Sequence, residues 1–175
     1  RASLVGRMRA AMQDVLAQLW LNRAPDLPVT TPEQAIVLAS IVEKETALAA
    51  ERPMVASVFV NRLRQDMPLQ SDPTVIYALT LGARDLGRAL SRTDLRVDSP
   101  FNTYRARGLP PAPIANPGRE SLAAVLNPAT SDALYFVADG SGGHAFAKTL
   151  AEHNRNVGRW RRIRDAGADD GEATN

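Results

Sequence analysis

The stretch ASIVEKETALAAERPMVASVFVNRL, Ala39 to Leu63, carries two acids two residues apart inside a segment that otherwise reads as buried helix. Just upstream, Thr31 and Pro32 are followed by Gln34, three residues beyond the Thr, which is a capping-box start. A helix is therefore expected from there to about Thr46. A further helix is expected from Pro53, with Val55, Val58, Phe59 and Leu63 on one face. Two apolar helices in tandem imply a largely helical core.

Outward from this segment the pattern stays helical, then changes. Leu4, Val5, Met8, Met12, Val15, Leu16 and Leu19 recur at helical spacing before NRAPDLPVTTPEQ breaks the run with three prolines. Asp72-Pro73 in DMPLQSDPT reads as an N-cap and first-turn pair for a short helix through Tyr77 and Leu79. RVDSPFNTYRARGLPPAPIANPGRES is proline-rich and reads as a long ordered loop, a kind of segment that is usually functional or disordered. In ALYFVADGSGGHAFAKT, β-formers flank a Gly-rich turn around Asp139 to Gly143, so a hairpin is expected. A last helix, Leu150 to about Arg164, leads into DAGADDGEATN, too polar to pack. The expectation is an α+β fold: a mainly helical body with a small antiparallel β-sheet. Residues 1–30 form an N-terminal amphipathic helix and linker of the same domain, 31–164 the principal unit, and 165–175 a disordered tail.

Composition removes several function classes. With 175 residues the chain supports one good core. Lys plus Arg number 21 against 19 Asp plus Glu, so charge makes no case for nucleic acid. The basic run RWRRIR, Arg159 to Arg164, reads as a solvated helix end, with an anionic envelope surface as the sharper alternative. No cysteine means no disulfide, zinc-thiolate site or thiol nucleophile. His144 and His153 are the only histidines and have no HExxH-like spacing, and no P-loop, GxGxxG or G-x-S-x-G elbow is present. No run reaches the roughly 18 apolar residues of a membrane span. The first residue is Arg1, which implies a fragment whose anchor could lie upstream.

Glu45 is the strongest chemical candidate left. At about 100° per residue, Leu38, Ile41 and Val42 fall within roughly 60° of Glu45, whereas Glu43 lies nearly opposite, beside Ile36 and Ser40. A carboxyl in the apolar stripe has its pKa raised by desolvation, as a general acid near neutral pH requires. It could equally cap a helix end or pair with a buried Arg52 or Arg62. Glu43 reads as a solvated-face residue. Gln70, Ser71 and Asp72 fall at a helix N-terminus, where exposed N–H groups and short polar side chains can hold a ligand or serve as an ordinary cap. Phe101-Asn102-Thr103-Tyr104 mixes amide, hydroxyl and aromatic groups, suited to a sugar or to loop packing.

Three separated stretches, ASIVEKET…ERPMVASVFVNRLRQDMPLQSDPTVIYAL, FNTYRARGLPPAPIANPG and LYFVADGSGGHAF…HN, resemble in order the YceG-like (MltG) family of endolytic murein transglycosylases over about Thr30 to Val157. Phe101 departs from the family's Tyr before N-T-Y. The resemblance implies an extracytoplasmic catalytic domain of a bacterial inner-membrane protein whose N-terminal transmembrane helix and LysM-like module are missing here. It implies internal cutting of nascent peptidoglycan glycan strands between N-acetylmuramic acid and N-acetylglucosamine, with no metal or organic cofactor. Peptidoglycan synthases become candidate partners. The family's catalytic acid, the second Glu of E-K-E-T, corresponds to Glu45. Gln70, Ser71, Asp72, Asn102 and Tyr104 become candidate substrate-holding residues, with Thr74 behind them. The expected product is a 1,6-anhydro-muramoyl end. A muramidase-type hydrolase, needing Glu51 or Asp72 as second carboxylate, and an inert glycan-binding module that scaffolds wall synthesis are the alternatives.

Overall fold

The computed structural model describes residues 2–172. Among them are six α-helices and one two-stranded antiparallel sheet, the α+β arrangement expected. Helix α1 is Ala2–Leu21, α2 Pro32–Glu45, α3 Arg52–Arg64, α4 Asp72–Thr80, α5 Arg119–Leu126 and α6 Leu150–Glu172. Strands β1 (Tyr135–Ala138) and β2 (His144–Ala147) pair with Tyr135 opposite Ala147 and Ala138 opposite His144.

The helix holding the two acids starts as expected. Thr31 is the N-cap and its hydroxyl accepts from Gln34 N at 3.3 Å, while Gln34 Oε1 accepts from Thr30 N at 2.7 Å. The reciprocal arm thus lands one residue earlier than in a standard capping box. The helix stops at Glu45 because Thr46 turns extended and its hydroxyl accepts from Leu48 N at 3.0 Å.

α2 is the central helix and is not amphipathic. Ala35 and every residue from Val37 to Val42 are buried, because α2 packs on α5, α3 and α4. Leu38, Ile41, Val42, Val55, Phe59, Leu122 and Leu126 are at most 1% exposed and form the centre of the core. α5 packs on both α2 and α3 in that core, over residues to which the sequence reading assigns no element. Eight residues after a proline-rich loop leave too short a periodic run to stand out, although Leu122, Ala124, Val125 and Leu126 are all buried. The structure places α1 against α5 and leaves Leu4, Val5 and Met8 exposed.

Two element ends differ from expectation. The N-cap of α4 is Ser71, one residue earlier than the Asp72 read from sequence, so Asp72 is the first helical residue. α6 continues to Glu172 through most of the residues read as a tail; 173–175 lie outside the described residues. Extension of a formed helix gains one hydrogen bond per residue fixed, so even a polar segment can follow.

The hairpin is held down at both its turn and its second strand. Gly140 has φ 91°, and a Cβ there would come within 2.8 Å of Ile163 on α6. A Cβ on Gly143 would meet Glu51 Oε1 at 2.7 Å. Glu51 accepts His144 N at 2.8 Å and lies 2.7 Å from His144 Nδ1, which pins β2 to the turn before α3. This seats β1 and the start of α6 over the C-terminal end of α2.

Candidate active site

Glu45 is the last residue of α2, and its carboxyl lies in an open cleft of about 360 Å³. The cleft is bounded by Gln70 and Asp72 at the start of α4, by Tyr104 from the long loop, by Tyr135 and Phe136 of β1, and by Leu150 and His153 of α6. Arg62 of α3 and Leu69 complete it.

The carboxyl is held in a defined orientation. Ser71 Oγ donates to Glu45 Oε1 at 2.5 Å, so the second oxygen is the one left for a ligand. Burial pushes the Glu45 pKa from 4.5 up to about 7, and the nearby Asp72 charge acts in the same direction. The Ser71 bond and the field of Arg62 oppose the rise and lose to desolvation. A carboxyl in this state is protonated in a substantial fraction at neutral pH and can both give and take a proton there.

Arg62 is the long-range fastener of the site. It is 7% exposed, and Nε donates to Leu134 O at 2.6 Å while Nη1 donates to Pro68 O, Leu69 O and Gln70 Oε1 at 3.0, 3.0 and 3.1 Å. Its guanidinium carbon lies 5.1 Å from the centre of the Tyr135 ring. Burial lowers its pKa below the ordinary guanidinium value, with the negative charge that Tyr135, Tyr104 and Glu45 carry when ionised opposing. The expected possibility of a direct Glu45–Arg62 ion pair is not realised: among the described residues, Arg62 spends its donors on carbonyls and Gln70.

Asp72 and Tyr104 face one another across the cleft. Tyr104 Oη donates to Asp72 Oδ1 at 2.5 Å, and burial together with that bond raises the phenol's pKa, so it remains a donor. Gln70 has φ 52°, a left-handed conformation uncommon for a side-chain-bearing residue, and its N–H donates to Thr103 O at 3.0 Å. Ser71 N donates to Thr103 Oγ1, and Thr74 Oγ1 lies 2.8 Å from the same hydroxyl. The long loop is therefore stitched to the start of α4.

Of the residues singled out from sequence, Glu45, Gln70, Asp72 and Tyr104 line one cleft, and Ser71 reaches it through Glu45. Asn102 does not. It is 0% exposed, its amide donates to Leu95 O and Val97 O, and its Oδ1 accepts Tyr104 N, so it shapes the loop and has no face for a sugar. Thr74 is likewise buried within the loop contact. Glu51 is occupied with His144 and lies outside the cleft, which removes it as a second carboxylate.

Glu43 corrects the solvated-face reading. Its Oε2 accepts Ser121 Oγ at 2.5 Å and Gly118 N at 3.0 Å, at the N-terminus of α5. These bonds hold its pKa below 4.5. The wheel misassigned it because both sides of α2 are covered by protein.

Arg62, Tyr135 and His153 were not singled out as site residues. A charged residue in the otherwise apolar Val55–Leu63 face was the available signal for Arg62. For His153 the signal was its scarcity: the chain has only two histidines. Among the described residues no cluster of three or more His, Asp or Glu is placed to hold a metal ion.

Residues 1–159 match the model of the YceG-like family. The chain is 48% identical over 120 residues to an endolytic murein transglycosylase of Bacillus subtilis (strain 168), a match covering 69% of this chain and 32% of that protein. It is 37% identical over 158 residues to an endolytic murein transglycosylase of Streptococcus pneumoniae serotype 2, covering 89% of this chain and 28% of that protein. A crystal structure of a yceG-like protein from Listeria monocytogenes superposes with a TM-score of 0.69 at 43% identity, over 83% of this chain and 44% of that one. The chain spans about a third or less of the length of the curated relatives it matches.

Proposed function

Because the chain belongs to the YceG-like family, we propose that it carries the catalytic site of an endolytic murein transglycosylase, with Glu45 serving in turn as acid and base. The observation that carries this reading is a single carboxyl with its pKa raised to about 7, oriented by Ser71 in an open cleft.

In the first step Glu45, protonated on the oxygen not engaged by Ser71, gives its proton to the glycosidic oxygen between N-acetylmuramic acid and N-acetylglucosamine, and the C1–O bond breaks. Ser71 and the field of Arg62 stabilise the carboxylate that results. The oxocarbenium-like charge at C1 is met by the substrate's own acetamido group, as in substrate-assisted glycosidases. In the second step Glu45 takes the proton of the muramoyl C6 hydroxyl as that oxygen closes onto C1. No water is consumed, the product end is a 1,6-anhydro ring, and the carboxyl returns to its starting state.

The rival reading is hydrolysis, and Asp72 is the observation in its favour, because it is a second carboxylate in the same cleft. Mass spectrometry of purified, uncrosslinked glycan strands after brief digestion separates the two. Anhydro ends are lighter than hydrolytic ends by roughly 18 mass units, the mass of the water not added. Early products of mixed length are expected from internal cutting. Glu45→Gln abolishes the cleavage. Reducing muramoyl ends replace the lyase by a muramidase, and binding without new ends leaves a glycan-binding module. Placement of the domain outside the cytoplasmic membrane, and contact with peptidoglycan synthases, belong to the same proposal. Among the described residues no helix is long and apolar enough to cross a membrane.

A further inference from the structure

The wall of the cleft formed by α6 and β1 takes no part in the proton transfers, yet it has a composition of its own. His153 stacks on Tyr135 with ring centres 5.2 Å apart and planes at 26°, and Tyr135 in turn lies under the Arg62 guanidinium. The ring of His153 is thus fixed in orientation from one side. Its Nδ1 is buried with no hydrogen-bond partner, and the ring lines the cleft. A buried orphan N–H is rarer and costlier than an under-satisfied acceptor, so the favoured tautomer carries its proton on Nε2.

Burial, reinforced by the positive charge of Arg62, lowers the His153 pKa from 6.5, so the ring is neutral at neutral pH. One helical turn back, Leu150 lines the same cleft and is 56% exposed. Residues at this spacing are neighbours on a helix face. The wall therefore offers one neutral N–H donor, held by the Tyr135 stack, beside an exposed aliphatic side chain.

From this juxtaposition we propose that His153, Leu150 and Tyr135 form a subsite for the 2-acetamido group of a pyranose bound in the cleft. His153 Nε2–H donates to the acetamido carbonyl oxygen, Leu150 covers the methyl, and Tyr135, stacked on the His153 ring, holds the donor in its orientation. The donor and the aliphatic side chain match the carbonyl and the methyl of an acetamido group, whereas a 2-hydroxyl would use the donor and leave the aliphatic surface wet. The proposal rests on the glycan-cleaving reading for its ligand class and adds the residues that select the N-acetyl substituent.

The test uses two neutral probes of equal length, chitotetraose and cellotetraose, which differ at C2 by acetamido against hydroxyl. Equilibrium binding to the whole chain, followed by NMR titration, is expected to favour chitotetraose by about tenfold, the worth of one hydrogen bond plus a covered methyl. His153→Phe keeps the stack on Tyr135 and removes the donor, so the preference should fall to about threefold or less with the fold intact. His153→Gln restores an N–H and should recover part of the preference. Equal binding of the two probes by the unaltered chain, an undiminished preference in His153→Phe, or no binding of chitotetraose overturns the subsite. Cleavage of murein strands by the unaltered chain is measured alongside. Loss of that activity with the probe preference intact removes the transglycosylase reading and leaves the subsite standing, while normal cleavage without probe preference does the reverse.

Discussion

Glu45 sits in its buried position at a thermodynamic cost that can be measured. Its pKa rises from 4.5 to about 7 on folding, so the native state binds a proton that the unfolded chain has released across that range. The resulting stability is fully present below about pH 4.5 and is lost as pH climbs through about 7. The displacement corresponds to about 3 kcal/mol. Glu45→Gln keeps an acceptor for Ser71 and removes the titration. The variant should be inactive on glycan strands yet more stable than the native chain by about 2–3 kcal/mol at pH 8, with the gain vanishing near pH 4. Thermal or urea unfolding at the two pH values reads this. A variant no more stable at pH 8 than at pH 4, relative to the native chain, would mean that Glu45 is better solvated than its burial implies.

The same helix end carries the opposite case. Glu43 ties the last turn of α2 to the first turn of α5 through Ser121 and Gly118, and its pKa is lowered by those bonds first and by Arg52 and Lys44 last. Gly118 is the N-cap of α5 and contributes no side chain, so the carboxylate of a neighbouring helix supplies both the hydrogen bond and the negative charge that a helix N-terminus favours. α4 shows the converse arrangement. Its N-cap, Ser71, makes no side-chain cap bond, because its hydroxyl is turned to Glu45. Local helix stability is thus sacrificed at α4 for the site. Glu43→Gln should leave cleavage chemistry in place and cost about 1 kcal/mol, the charged-bond value reduced for partial exposure. A depressed carboxyl gives its full stabilisation above its ordinary pKa and loses it as pH falls through the lowered folded value, so this difference should shrink as pH falls below 4.5. Urea unfolding at pH 7 and pH 3 measures it; an equal loss at both pH values would show that shape and not charge matters.

Arg62 joins parts of the chain that sequence keeps apart. Its bonds to Pro68, Leu69 and Gln70 and to Leu134 connect α3, the approach to α4 and the first strand, and its ring contact reaches Tyr135. It thus ties the hairpin wall and the Gln70–Asp72 wall of the cleft to the same helix. Arg62→Met preserves much of the volume but leaves three carbonyls unpaired, and should cost about 3 kcal/mol or more in urea unfolding while impairing glycan cleavage in the fraction that stays folded. A loss below about 1 kcal/mol would mean that water reaches those carbonyls and that the fastening role is wrong.

The elements legible in the sequence are those whose signal is local. Thr31 through Gln34 announce the start of α2, Asp139 to Gly143 the hairpin turn, and the spacing of Val55, Val58, Phe59 and Leu63 the face of α3, because caps, turns and periodicity act over a few residues. The E-K-E-T stretch points to Glu45, and LQSDPT to the second wall of the cleft. What pairwise contacts over long separations decide was invisible. Glu43 and Glu45 lie nearly opposite on the wheel, yet both faces are covered by protein, so an amphipathic argument could place Glu43 toward solvent only by ignoring α5. Asn102 has the chemistry of a sugar ligand and is consumed by Leu95, Val97 and Tyr104. His153 enters the cleft from a helix more than a hundred residues after Glu45, because Glu51 pins β2 and Ile163 packs on Gly140, and neither contact leaves a periodic trace in the chain.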